Sequence, residues 1–338
     1  MTTKEKLKKF AIGLIRDLII AGLIVTLIMA VLFIYSGIWP PIVVIESGSM
    51  QHSNTESFIG VIDTGDLVLV KKEPLSNIKT YVEGRATGYS TYGNYGDVII
   101  FHKNGDSSKT PIIHRALIYL KYDPSKNTYY SEELKNLQYG EEWSRSDGIN
   151  SPYDLNGTLY IYNYGHTSLT ITIDLQALLA DTRNRHDGYI TLGDNNKDVY
   201  DQRARGTEPI KYEWLIGVAR GEIPWFGLLK LSFGSPEERR HAQLAPANSW
   251  TSLYIALFLI IVGPLLIDYT LNYIRKNRKK TKPKIIGEIK YDSPPMSYDS
   301  RVLTPEPLCV NCGKPLPERP GAKIIVCKIC GAPNGWTK

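Results

Sequence analysis

Residues 18–50 read LIIAGLIVTLIMAVLFIYSGIWPPIVVIESGSM, and their order decides how the rest of the chain is understood. Leu18–Tyr35 carries no charge and approaches the roughly 20 residues that cross a hydrocarbon core as a helix. A short β-branched run, Ile42–Ile45, follows and ends in Glu46-Ser47-Gly48-Ser49-Met50. A serine about fourteen residues beyond an apolar span lies close to a membrane surface, counting from Tyr35 at no more than ~3.5 Å per residue. By itself the hydroxyl is a poor nucleophile. It needs a base, a group to orient that base, and donors for the oxyanion.

A retained anchor fits residues 18–38 better than a cleaved leader. The apolar run exceeds a typical leader core, and Trp39-Pro40-Pro41 lacks the small residues of a cleavage site. A second apolar stretch, Trp250–Ile267, contains Pro264, which membrane helices tolerate better than soluble ones. Lys4, Lys6, Lys8 and Lys9 precede the first stretch, and a basic cluster from Arg275 to Lys284 follows the second. Both ends are therefore expected in the cytoplasm, with residues 39–249 outside a cell membrane that the chain crosses twice. The chain has 338 residues, 43% hydrophobic and 22% charged, enough for a sizeable core. Its formal charge of +6 gathers at the ends, so no nucleic-acid surface is expected.

Between the spans, short β-branched runs recur at Ile42–Ile45, Leu67–Val70, Val98–Phe101, Ile112–Leu120, Thr158–Tyr162, Leu169–Ile173, Tyr189–Leu192 and Trp214–Ala219. They predict a mainly β ectodomain. Residues of about 120–185 read as an insert forming a second β subdomain, with a short helix near Ala177–Arg185. Ile223–Leu229 reads either as an apolar hairpin dipping into the membrane interface or as ordinary core. Domain boundaries are then 1–17 basic N-terminus, 18–38 span, 39–249 ectodomain, 250–274 span, 275–307 Pro-rich basic linker, and 308–338 a small cysteine domain.

All four cysteines fall in that last domain, as Cys309-Val310-Asn311-Cys312-Gly313 and Cys327-Lys328-Ile329-Cys330-Gly331. Two C-x-x-C-G turns have the spacing of a zinc ribbon, with four thiolates closing a tetrahedral structural site. Two disulfides are disfavoured in reducing cytosol.

For a base, the chain offers His52, His102, His114, His166, His186 and His241. His114, in the apolar run Pro111-Ile112-Ile113-His114-Arg115-Ala116, is best placed to be held by packing. Gly193-Asp194-Asn195-Asn196 follows the run Tyr189–Leu192, and Asp198 and Asp201 come next. Each aspartate is a candidate orienting carboxylate, and each also fits turn chemistry.

Taken in order, these motifs resemble the boxes of type I signal peptidases. The matching blocks are Ser47-Gly48-Ser49-Met50 after an anchor, Gly96–Ile100, Ile113-His114-Arg115, Gly193–Asn196 and Gly217–Pro224. Histidine where the bacterial enzymes carry lysine is similar to the archaeal and endoplasmic-reticulum branch. The resemblance covers about residues 10 to 230. It implies a signal-peptidase-like β fold and a membrane serine endopeptidase that cuts signal peptides from secretory preproteins after small residues. It further implies Ser49 as nucleophile, His114 as base, and Ser47 hydroxyl with the Ser49 amide as oxyanion donors. Asp201 is the best match for the orienting aspartate, displaced by one residue, with Asp194 and Asp198 as runners-up. His52 stands where the family has proline, and reads either as positioning the strand differently or, the preferred reading, as merely exposed. No cofactor is implied for the chemistry. Implied partners are preproteins, the lipid bilayer and the secretion machinery. The zinc ribbon lies outside the family core. The remaining alternatives are a membrane serine protease with other substrates, and a non-enzymatic membrane adaptor working through its ribbon.

Overall fold

An apolar run without proline can satisfy its backbone hydrogen bonds as one helix, and Leu18–Tyr35 does so within the helix Thr3–Ser36. The computed structural model describes residues 3–165, 168–204, 206–280, 308–316 and 324–335. The chain divides into two compact units, Met1–Tyr273 and Ile274–Lys338. Two helices, over Ala11–Ser36 and Ser249–Lys276, are long and apolar enough to cross a membrane. Protein buries almost none of either, so Leu23, Leu27, Ile261 and Leu265 stand exposed. Two hydroxyls in their middle turns bond backward within the helix, Thr26 Oγ1 to Gly22 O and Thr270 Oγ1 to Leu266 O. The interruption at Pro264 is absorbed within the helix Ser249–Lys280.

Gly37 ends the first helix with φ 71°, a conformation that only glycine adopts without cost. Ser36 then fastens the helix end to the sheet. Its hydroxyl donates to Val70 O at 2.6 Å, and its carbonyl accepts from Lys72 N at 2.8 Å.

Apart from the two-residue strands Ser90–Thr91 and Asn94–Tyr95, which pair with each other, the strands between the long helices are β1 Ile42–Val44, β2 Leu67–Lys71, β3 Val98–Phe101, β4 Ile112–Asp123, β5 Thr128–Tyr130, β6 Trp143–Arg145, β7 Thr158–Tyr164, β8 Leu169–Asp174, β9 Gly188–Leu192 and β10 Leu215–Ile223. One seven-stranded antiparallel sheet runs β1-β2-β10-β3-β4-β9, with β5 folded back on the end of β4. Each of the eight β-branched runs lies in or overlaps a strand. The chain as a whole is mixed helix and sheet, and sheet predominates only between the two long helices.

The insert builds a sheet of its own on a shared core. It contributes a three-stranded antiparallel sheet, β8-β7-β6, and the helix Leu175–Ala180, capped by Asp174. Its core is not separate. Trp143, Leu159, Ile161, Ile171 and Leu178 pack in one buried cluster with Leu117 and Leu120 of β4 and Leu192 of β9. A second cluster, Ile45, Met50, Val68, Val70, Val98, Ile100 and Ala219, lies under the segment that leaves β1. Residues 223–229 form no hairpin. Trp225 turns the chain at φ 68°, its Nε1 donates to Ser57 Oγ at 2.9 Å, and the helix Gly227–Phe233 follows.

In the C-terminal unit, strands Ile324–Val326 and Pro333–Gly335 pair. The expected linker is largely outside the described residues, as is His166.

Trp143 is the largest fully buried side chain and ties the insert to the sheet. Trp143→Ala is expected to lower stability by about 3–5 kcal/mol, read as a drop in the denaturation midpoint of the detergent-solubilised chain. An unchanged midpoint would mean that the insert's packing adds nothing.

Candidate functional site

Ser49 is held from both sides by burial. Ile45 and Met50 are sunk in the core, so the turn Ser47-Gly48-Ser49 between them is forced to the surface. The backbone of this turn is gripped by the loop after β9. Asn195 N donates to Ser49 O at 2.8 Å, and Asn195 Nδ2 donates to Gly48 O at 2.8 Å. Gly193 permits that approach. A Cβ there would lie 2.6 Å from Ser49 O and 2.9 Å from His114 Nε2, distances no side chain tolerates.

His114 sits near the start of β4, paired with Ile99 of β3, and is only 8% exposed. Its Nε2 lies 3.0 Å from Ser49 Oγ, and its Nδ1 lies 2.6 Å from Asp201 Oδ2. Asp201 opens a 3-10 turn, Asp201–Arg203, and the hydroxyl of Thr191 donates to the same Oδ2 at 2.6 Å. With Nδ1 donating to the Asp201 carboxylate, Nε2 is the nitrogen left to accept from Ser49. Such an arrangement can accept the serine proton and support the imidazolium that results. Ser47 Oγ is 3.2 Å from Ser49 Oγ, on the exposed side of the turn.

Asp194 does something else. Strand alternation sends Arg115 to the face opposite His114, and there Arg115 Nε and Nη2 clasp the two Asp194 oxygens at 2.8 and 2.6 Å. Neither residue's side chain meets solvent. Tyr164 OH donates to Asp194 Oδ1 at 3.0 Å, and Arg115 Nη1 also donates to the carbonyls of Thr91, Tyr95 and Gly96. Burial pushes the Asp194 carboxyl up, but the Arg115 charge and hydrogen bonds outweigh it, with His52 adding to them. The group is held well below the usual carboxylate range. His52 is thus not simply exposed. Its Nε2 lies 3.3 Å from Asp194 Oδ2, where a proline would offer nothing.

Of the remaining aspartates, Asp198 is half exposed and pairs with Arg203 at 3.8 Å. His186 packs edge-on against Trp214 and faces Glu208, and His241 faces Glu46 at 3.7 Å. The structure therefore brings Ser49, His114 and Asp201 together. It ties Asp194 to Arg115 and leaves Asp198 outside.

The sulfurs of Cys309, Cys312, Cys327 and Cys330 all lie within 4.8 Å of one another. Two like turns present them. Gly313 N donates to Cys309 O and Gly331 N to Cys327 O, with φ of 68° and 72° at the glycines. The Cys309–Cys330 and Cys312–Cys327 sulfurs are each 3.7 Å apart. A tetrahedron with metal–sulfur bonds near 2.3 Å has edges of about 3.8 Å. This donor set fits a closed four-thiolate structural metal site.

No protein-family model matches the chain, and comparison with curated proteins and with solved structures gives no match.

The two aspartates should separate in unfolding experiments. Asp194→Ala strands a buried guanidinium and is expected to cost about 3–5 kcal/mol, whereas Asp198→Ala should stay within about 0.5 kcal/mol. Because the folded Asp194 carboxyl titrates below its unfolded value, its contribution is present above the ordinary pKa of 3.8 and lost as pH falls further. Loss of stability below pH ~4 should accordingly be shallower in the Asp194 variant. Equal unfolding midpoints for the two variants would contradict this assignment.

Proposed function

We propose that the chain is a membrane-anchored serine endopeptidase of the signal peptidase I type, in the archaeal and endoplasmic-reticulum branch, which removes signal peptides from secretory preproteins. The observation that carries the reading is the unbroken chain of contacts from Ser49 Oγ through His114 to Asp201, at the end of a strand that begins just beyond an apolar helix.

In this mechanism His114 Nε2 takes the Ser49 proton as Oγ attacks the scissile carbonyl carbon. The tetrahedral oxyanion is held by the Ser49 amide and the Ser47 hydroxyl. As it collapses, Nε2–H protonates the leaving amine and an acyl ester remains on Ser49. Water, deprotonated by the same Nε2, then attacks the ester and frees the serine. Asp201 keeps the Nδ1 proton in place and offsets the imidazolium charge. A substrate must reach Ser49 in an extended form, and β1, which leads to it, is the terminal strand of the sheet. The signal-peptidase-like β fold, with the insert added to it, belongs to the same reading.

Placement supports the substrate class. A signal peptide's scissile bond lies just past its apolar core, so its enzyme works at the membrane plane. Exposed Phe58 and Ile59 sit on a loop bonded to Asn248, the residue before the second long helix, and exposed Trp39 follows the first. Apolar and aromatic side chains at span ends suit the headgroup layer. With the basic segments inside, both termini face the cytoplasm and residues 39–249 face outward. Cys309, Cys312, Cys327 and Cys330 would hold zinc, which when bound supplies structural cross-linking of the two turns.

Ser49→Ala and His114→Ala are each expected to cut preprotein cleavage in detergent by at least about 10³-fold, without loss of fold. Near-native turnover in either variant would sink the reading. Metal analysis should find about one zinc per chain, lost on Cys327→Ser with cleavage by the ectodomain retained.

A further inference from the structure

Asp201 has a second support besides His114, and it lies on the same sheet face. His114 and Ala116 point to one side of β4, and Thr191 is the cross-strand partner of Ala116 on β9. A register shift between Ile190 and Thr191 falls just before this pair, and bulges of this kind re-aim a side chain. Thr191 is wholly buried and Gln202 nearly so.

The proton inventory of these three residues has one solution. Thr191 N donates to Gln202 Oε1 at 3.0 Å, which fixes the amide with its nitrogen toward the hydroxyl. Gln202 Nε2 then donates to Thr191 Oγ1 at 3.2 Å. Having accepted there, the hydroxyl turns its only proton to Asp201 Oδ2. That oxygen is also the one facing His114 Nδ1.

We propose that Thr191, keyed by Gln202, is a positioning residue that holds the Asp201 carboxylate aimed at His114. This inference rests on the serine peptidase reading for its effect on turnover, but its effect on His114 does not. The nearby charges are otherwise engaged, since Asp198 pairs with Arg203 and Asp194 with Arg115. Removing the hydroxyl leaves Asp201 with one donor fewer, so its charge falls more fully on the imidazolium. The His114 titration should therefore rise, and with it the acidic limb of kcat/KM.

The test compares Thr191→Val, Thr191→Ala and Thr191→Ser in the full chain in detergent, using preprotein cleavage and an NMR titration of His114. For Val and Ala, kcat is expected to fall about tenfold, the worth of a hydrogen bond to a charged group. KM should be unchanged, and both the acidic limb and the His114 titration should move to higher pH. Ser should restore all three. Ala covers the case in which Val fails to fold. An unmoved His114 titration with wild-type kcat in either hydroxyl-free variant overturns the inference. If the titration moves but the wild type cleaves no preprotein, the positioning stands and the peptidase reading falls.

Discussion

The buried Arg115–Asp194 pair is the contact on which the arrangement of the site depends. Two charges taken out of water are stable only with good geometry and with their remaining hydrogen bonds filled. Here they are filled by three backbone carbonyls, Tyr164 and His52. The pair locks the turn after β9 against β4. That turn carries Gly193, close against Ser49 O and His114 Nε2, and Asn195, which grips the Ser49 backbone. One strand, β4, thus presents His114 to Ser49 and Arg115 to Asp194 in successive residues.

Much of this was legible in the sequence. The apolar helices follow from uncharged length alone, and strands such as Val98–Phe101 follow from β-branched runs. Cys309, Cys312, Cys327 and Cys330 declare themselves by spacing. Ser49 stands at the end of one apolar run and His114 inside another, which makes them candidates, but their pairing is read from the resemblance in motif order and not from either run. The aspartate was harder. Asp194, Asp198 and Asp201 share a turn-rich stretch, and only the path of the chain after β9 decides which carboxylate reaches Nδ1.

Other features depend on long-range contacts that no local pattern encodes. His52 looked like an exposed histidine, but its partner Asp194 lies 142 residues away in the chain. The insert, rich in tyrosine and without a visible period, turned out to share its core with Leu117, Leu120 and Leu192. Ile223–Leu229 reads equally as a hairpin or as core, and distant contacts decide for core: Leu228 is buried with Trp225 packed against its cluster, and the Trp225 indole bonds to Ser57. Thr191 gave no signal either, since threonine in a strand is ordinary and its importance comes from the paired register with β4.

The central claim is that Ser49 is activated by His114. It is tested most directly by treating the intact chain in detergent with an organophosphonate probe and mapping the adduct by mass spectrometry. The account expects a single adduct at Ser49 in the wild type, and its loss when His114 is replaced by alanine although Ser49 remains. An adduct that persists at full rate without His114, or none at Ser49 in the wild type, would contradict it.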